Sequence, residues 1–103
     1  MIGDLLVKLH EAKQKIEEAK KKLNNIIVES SVDNGAVKVK ANANKAIISI
    51  EIAEHLIQPV NKIQLEEMIT VAANKALEEA AAKGEIEMKK VTQDMLPNFP
   101  GLV

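Results

Sequence analysis

The 103-residue chain contains no cysteine and no arginine, since all fourteen of its basic residues are lysine, and Phe99 is its single aromatic residue. Without cysteine the chain has no disulfide, no thiolate metal site and no cysteine nucleophile, which fits a reducing compartment. Arginine is the usual reader of guanine edges, and aromatic rings are the usual stacking surfaces for single-stranded bases. Any binding to nucleic acid would therefore be directed at phosphates, with low sequence specificity.

Long apolar runs are also missing from the sequence. No run approaches the roughly 18 residues of a membrane span, and the N-terminus lacks a signal-peptide pattern. We therefore expect a cytoplasmic protein without a membrane partner. The lack of Tyr and Trp argues against a small-molecule substrate, because such pockets tend to have aromatic walls. The composition, 47% hydrophobic and 28% charged with a net charge of −1, predicts a single globular domain over residues 1–103.

Residues 26–52 predict three short antiparallel strands, because apolar and polar side chains alternate along them. One alternating apolar set is Val37, Val39 and Ala41, and another is Ile48, Ile50 and Ile52. Asn34-Gly35 favours the positive φ angles of a tight hairpin between the first two strands. Helical patterns stand on both sides of these strands. The order α-β-β-β-α predicts a two-layer α+β fold in which both helices cover one sheet face.

The first helix is predicted to run from about Asp4 to about Leu23. Its apolar residues follow the alternating spacing of four and three that is typical of coiled coils. They are Leu5, Leu9, Ala12, Ile16, Ala19, Leu23 and Ile26. Twenty helical residues span about 30 Å, whereas a six-residue strand spans about 20 Å, so the start of the helix should overhang the sheet. Leu5, Leu9 and Ala12 then need another partner, and we interpret them as a homodimer interface.

Lysines flank the apolar stripe of this first helix on both sides. They are Lys8, Lys13, Lys15, Lys20, Lys21 and Lys22, and with three glutamates they give residues 8–22 a local charge of +3. The simpler interpretation is a solvated charged surface, which is the usual role of lysine. The alternative is a strip that contacts DNA phosphates, to which Lys89 and Lys90 would add if the last segment packs beside the first helix.

The second helix is predicted to run from about Lys62 to Lys83, with Asn61 as its N-cap in a capping box with Gln64. Gly84 is expected to break, bend or cap it. A short helical segment should follow from Glu85 to about Met95, and it could cover the overhanging end of the first helix. Residues 96–103 are too rich in Pro and Gly to be regular.

The sequence offers no constellation of residues that supports catalysis. His10 and His55 are its only histidines, and their spacing does not suit a metal site. We therefore expect no metal, no cofactor and no enzymatic activity.

The chain resembles the YbaB/EbfC family of bacterial nucleoid-associated proteins through several short motifs in a fixed order. They are Gly35-Ala36-Val37-Lys38-Val39, Asn42, Ile50-Glu51-Ile52, Leu65-Glu66-Glu67-Met68-Ile69, Ala72-Ala73-Asn74-Lys75-Ala76 and Pro100-Gly101-Leu102. The resemblance implies a tweezer-like homodimer whose helical prongs bind double-stranded DNA in the nucleoid with little sequence preference. The main alternative is a dimeric protein-interaction adaptor without DNA binding. The sequence leaves open whether two chains pair through sheet edges or through helices.

Overall fold

The computed structural model describes residues 2–95 and confirms the α+β order, extending over 69 × 18 × 17 Å. Its elements are α1 (Ile2–Leu23), β1 (Ile27–Val32), β2 (Val37–Asn42), β3 (Ile47–Ile52), two short 3-10 helices (Glu54–Leu56 and Pro59–Asn61) and α2 (Lys62–Met95). The expected irregular tail, residues 96–103, lies outside the described residues.

The three strands form one antiparallel sheet in the order β1-β2-β3. In the centre of the sheet, Val39 of β2 lies opposite Ser30 of β1 and Ile50 of β3. The β1–β2 hairpin confirms the turn prediction, since Asp33, Asn34 and Gly35 have φ values of 52°, 55° and 87°. Asn, Asp and Gly adopt this left-handed region at the lowest steric cost, so the sequence of the turn fixes the register of the first two strands.

The core lies between α2 and the strands β1 and β2. Fully buried alanines of α2 face the fully buried apolar residues of β2. These residues are Ala72, Ala76 and Ala80 on the helix, and Val37, Val39 and Ala41 on the strand. Small side chains let the two backbones approach closely, and the hydroxyl of Ser30 donates a 2.8 Å hydrogen bond to the carbonyl of Ala72. β3 receives little cover from α2, so Ile50 remains 44% exposed.

The prediction that both helices cover the sheet is wrong for α1. This helix packs along the C-terminal half of α2 instead of on the strands. Ala12 is buried against Ile16 of its own helix and Val91 of α2. The segment after Gly84 therefore covers α1 around Ala12, as the sequence suggested, whereas Leu5 and Leu9, nearer the start of the helix, remain exposed. The two antiparallel helices project beyond the sheet as a helix pair, formed by α1 and residues 83–95 of α2.

The predicted break of the C-terminal helix near Gly84 is also wrong, because α2 is continuous from Lys62 to Met95. Gly84 is buried at the point where α2 passes the β2–β3 turn. A Cβ atom at this position would lie 2.6 Å from the carbonyl oxygen of Ala43. The glycine thus permits a close helix–turn contact, and the favourable packing on both sides of it keeps the helix intact.

The start of α2 differs in detail from the capping prediction. Pro59 begins a 3-10 turn that leads directly into the helix. The side chain of Asn61 does not accept a capping hydrogen bond. Its amide donates weakly, at 3.4 Å, to the carbonyls of His55 and Leu56. Asn61 therefore ties the connection after β3 to the helix start.

Candidate nucleic-acid interface

The base of the helix pair is fastened to the β2–β3 turn. The side-chain amide of Asn44 donates to the carbonyl of Lys20 at 2.8 Å and to the side-chain oxygen of Asn24 at 2.6 Å. The backbone N–H of Ala43 donates to the carbonyls of Leu23, at 3.2 Å, and Ile26, at 2.9 Å. The last carbonyls of a helix lack partners within it, so these bonds complete the end of α1. They also fix the direction in which the helix pair projects.

The turn itself is shaped by Asn42 and Lys45. The side-chain oxygen of Asn42 accepts hydrogen bonds from the backbone N–H groups of Asn44, at 3.0 Å, and Ala46, at 3.2 Å. The left-handed residue is Lys45, with a φ of 65°. Ala43, which follows Asn42, avoids the positive φ that alanine tolerates poorly.

One side of the helix pair, which we call the groove face, carries a cleft of about 390 Å³ with an apolar floor. Lys15 and Lys22 of α1 and Lys90 of α2 line this cleft together with Glu18, Glu87 and Asp94. One carboxylate oxygen of Glu87 lies 3.4 Å from the Nζ atom of Lys90 and 3.9 Å from that of Lys83. The positive and negative side chains of the cleft are equal in number.

The opposite side, which we call the turn face, is where the β2–β3 turn meets the helices. Lys20, Lys45 and Glu85 line a second, shallower cleft there. Lys13 lies two helical turns before Lys20, and Lys89 lies one turn after Glu85, so helical periodicity puts both on this side. Lys45 was not among the residues predicted from the sequence. An isolated lysine in a turn carries no pattern, and only the fold brings it beside Lys20.

The eight lysines predicted to bind DNA are all exposed on the helix pair. Lys8 shares the groove face with Lys15 and Lys22, while Lys21 lies on the ridge of α1 that points away from α2. Of the residues predicted at the dimer interface, Leu5 and Leu9 are 54% and 43% exposed, whereas Ala12 is buried within its own chain. The assignment of DNA-binding and dimer residues stays a prediction at this point.

The part of the chain that the structure describes contains neither a cluster of metal-ligating side chains nor a membrane-spanning helix. His10 and His55 are both exposed. Within residues 2–95, no cluster of three His, Asp or Glu residues is arranged to hold a metal ion. No helix in the same range is long and apolar enough to cross a bilayer.

Comparisons with known proteins define the class to which this fold and surface belong. The profile of the YbaB/EbfC DNA-binding family matches residues 1–95, and the chain belongs to this family. A nucleoid-associated protein of Flavobacterium johnsoniae is 34% identical over 95% of this chain and 91% of its own length. Another, from Pelotomaculum thermopropionicum, is 35% identical over 99% of both chains. The crystal structure of an uncharacterized protein from Helicobacter pylori shares the fold, with a TM-score of 0.69 and 21% identity over 92% of both chains.

Proposed function

We propose that this protein is a nucleoid-associated protein that binds double-stranded DNA as a homodimer, through phosphate contacts and with low sequence specificity. It acts in the bacterial cytoplasm, on the nucleoid, and it has no catalytic role. The observation that carries the proposal is the projecting helix pair, on which the predicted lysines Lys8, Lys13, Lys15, Lys20, Lys21, Lys22, Lys89 and Lys90 are all exposed. Family membership supports DNA as the partner.

Low specificity follows from the chemistry of the side chains. A lysine ammonium group neutralises phosphate as a point charge, whereas the planar guanidinium of Arg is the usual bidentate reader of guanine edges. The chain has no Arg, and its single aromatic residue cannot form a base-stacking surface of several rings. Each phosphate contact releases condensed counterions, so affinity should fall steeply as salt rises.

The homodimer is supported by two exposed apolar surfaces. One is the tip of α1, which includes Leu5 and Leu9. The other is the edge strand β3, where Ile47, Ile48 and Ile50 are 44–51% exposed. An unpaired strand edge with an apolar side offers both hydrogen-bonding groups and surface for burial. We favour β3 as the centre of the dimer, because α2 leaves this part of the sheet uncovered, and we place the tip of α1 at its periphery.

The test of DNA binding is fluorescence anisotropy of a labelled duplex of about 30 base pairs, titrated across a salt series. We expect log Kd to rise linearly with log salt, with a slope of about 0.9 for each phosphate contacted. A second duplex of unrelated sequence should bind with similar affinity. The triple variant Lys15→Gln/Lys20→Gln/Lys22→Gln should bind both duplexes more weakly while remaining folded and dimeric. Unchanged affinity in this variant would show that these three lysines do not contribute to DNA binding.

A dimeric protein-interaction adaptor is the second candidate. The near-neutral net charge and the exposed isoleucines of β3 favour it. It predicts no duplex binding even at low salt, together with recovery of one stoichiometric protein partner that nuclease treatment does not release. Salt-dependent binding to duplex DNA would decide for the first function.

A further inference from the structure

We infer that the turn face of the helix pair contacts the DNA backbone and that Lys45, in the β2–β3 turn, is a phosphate-binding residue on this face. The inference rests on the proposed function and narrows it, because it assigns DNA to one of the two lysine-bearing sides. It also adds a residue from the sheet to an interface that the sequence placed on helices alone.

The groove face has no net charge. On α1, Lys8, Lys15 and Lys22 each follow an acidic residue by four positions, with the acid first, which is the favourable order for helical ion pairs. On α2, Glu87 lies within 4 Å of two lysine ammonium groups. By the cleft lining, the ion pairs and helical periodicity, the lysines of this face are Lys8, Lys15, Lys22, Lys83 and Lys90, and its acids are Asp4, Glu11, Glu18, Glu87 and Asp94. A phosphate approaching this side meets as many carboxylates as ammonium groups.

The turn face has an excess of two positive charges. Lys20, Lys45 and Glu85 line its cleft, and helical periodicity adds the exposed residues Lys13, Glu17 and Lys89 to this side. Because Val91 packs on Ala12 in an antiparallel pair, Lys89 lies at about the level of Lys13. Lys20 is two helical turns from Lys13, about 10 Å along the axis. The four lysines thus form two groups along the helix pair, one at mid-length and one at the sheet.

The hydrogen bonds at the base of α1 hold Lys45 in this cluster. Asn44 donates to the carbonyl of Lys20, so the residue next to Lys45 is tied to the backbone of Lys20. The same bond occupies the carbonyl of Lys20, and the N–H groups of Ala43 and Ile26 both donate to the carbonyl of Leu23, so these carbonyls present less negative partial charge to a phosphate. Lys20 and Lys45 line one cleft and are both exposed. A phosphate that enters this cleft can therefore be neutralised by both ammonium groups.

Two matched double variants test the assignment. Lys20→Gln/Lys45→Gln removes two charges from the turn face, and Lys15→Gln/Lys22→Gln removes two from the groove face. Both variants have the same net charge, and each includes one lysine from the last turn of α1. Kd for a 30-base-pair duplex is measured by anisotropy across a salt series, with circular dichroism and light scattering to verify fold and mass. The single variant Lys45→Gln isolates the new residue.

We expect the turn-face variant to lose at least about tenfold in affinity at 0.1 M salt, with a log–log slope shallower by about 0.9 for each phosphate that is no longer neutralised. The groove-face variant should stay within about threefold of the wild type, with an unchanged slope. Equal losses in both variants, or a larger loss in the groove-face variant, would overturn the inference while leaving DNA binding in place. An unchanged log–log slope in Lys45→Gln would show that Lys45 does not neutralise a phosphate. Absence of binding by the wild type would instead refute the proposed function.

Discussion

Replacement of Gly84 by alanine should have two opposite effects on stability, a gain from helix propensity and a loss from tertiary packing. In the interior of an unconstrained helix, Gly→Ala stabilises by about 1 kcal/mol. At Gly84 the added Cβ atom would lie 2.6 Å from the carbonyl oxygen of Ala43, whereas ordinary contact begins at 3.4 Å. One of the two backbones would therefore have to move by about 0.8 Å, the difference between these distances.

Neither backbone is free to make this movement. The N–H of Ala43 is bonded to the carbonyls of Leu23 and Ile26, and four residues before Gly84 the helix is packed on the sheet through Ala80. Overpacking typically costs about 1–3 kcal/mol, and here it involves backbone instead of a flexible side chain. Because backbone must shift, the overpacking cost should lie in the upper part of this range, at about 2–3 kcal/mol. After subtraction of the propensity gain of about 1 kcal/mol, we expect Gly84→Ala to reduce the free energy of unfolding by about 1–2 kcal/mol.

The measurement is thermal and urea unfolding followed by circular dichroism. In a domain of this size, each kcal/mol lost should lower Tm by about 4–8 °C. The control is Gly3→Ala in α1, because no atom lies within 4 Å of its added Cβ. That variant should be as stable as the wild type or slightly more stable. A higher Tm in Gly84→Ala than in the wild type would refute the close-contact explanation and leave Gly84 as an ordinary helical glycine.

Two further predictions concern the sheet. Ser30→Ala removes the buried hydrogen bond to Ala72 and should lower the free energy of unfolding by about 1 kcal/mol in urea titrations, whereas Ser31→Ala on the exposed face should change it by less than about 0.5 kcal/mol. Ile50→Glu places a charge on the uncovered part of β3 and should convert the proposed dimer to a monomer, as measured by light scattering. If Leu5→Glu dissociates the dimer and Ile50→Glu does not, the tip of α1 is the interface and β3 is not.

The element order could be predicted from the sequence because its signals are local. The alternation of Val37, Val39 and Ala41 and the Asn34-Gly35 turn depend on near neighbours, and the structure confirms both. The stripe of α1 was identified correctly from Ala12 to Leu23, including its partner after Gly84, whereas Leu5 and Leu9 at its start are exposed. Such patterns indicate which side of a helix or strand is buried, whichever other element covers that side.

The errors arose where contacts distant in sequence decide the outcome. A glycine inside a helical pattern predicts a helix break. At Gly84, however, the glycine is required by the close contact with the β2–β3 turn, and packing preserves the helix. Amphipathic periodicity shows that α1 has a buried stripe, but it does not show whether a sheet or a helix covers it. The lysine-rich site could be predicted only in part for the same reason. The lysines of α1 are recognisable in the sequence as a local excess of positive charge, whereas their separation into two faces depends on where α2 packs. Lys45 joins them only through the β2–β3 turn.

The 69 Å length of the molecule has a hydrodynamic consequence. A compact domain of about 100 residues has a radius of gyration of about 13 Å, whereas that of this chain is 19.6 Å. An elongated particle diffuses slowly for its mass and elutes early from a gel-filtration column. A single chain would therefore run at the position of a larger globular protein, and calibration against globular standards would report a dimer even for a monomer. Sedimentation equilibrium and light scattering, which are independent of shape, are the measurements that count subunits in this protein.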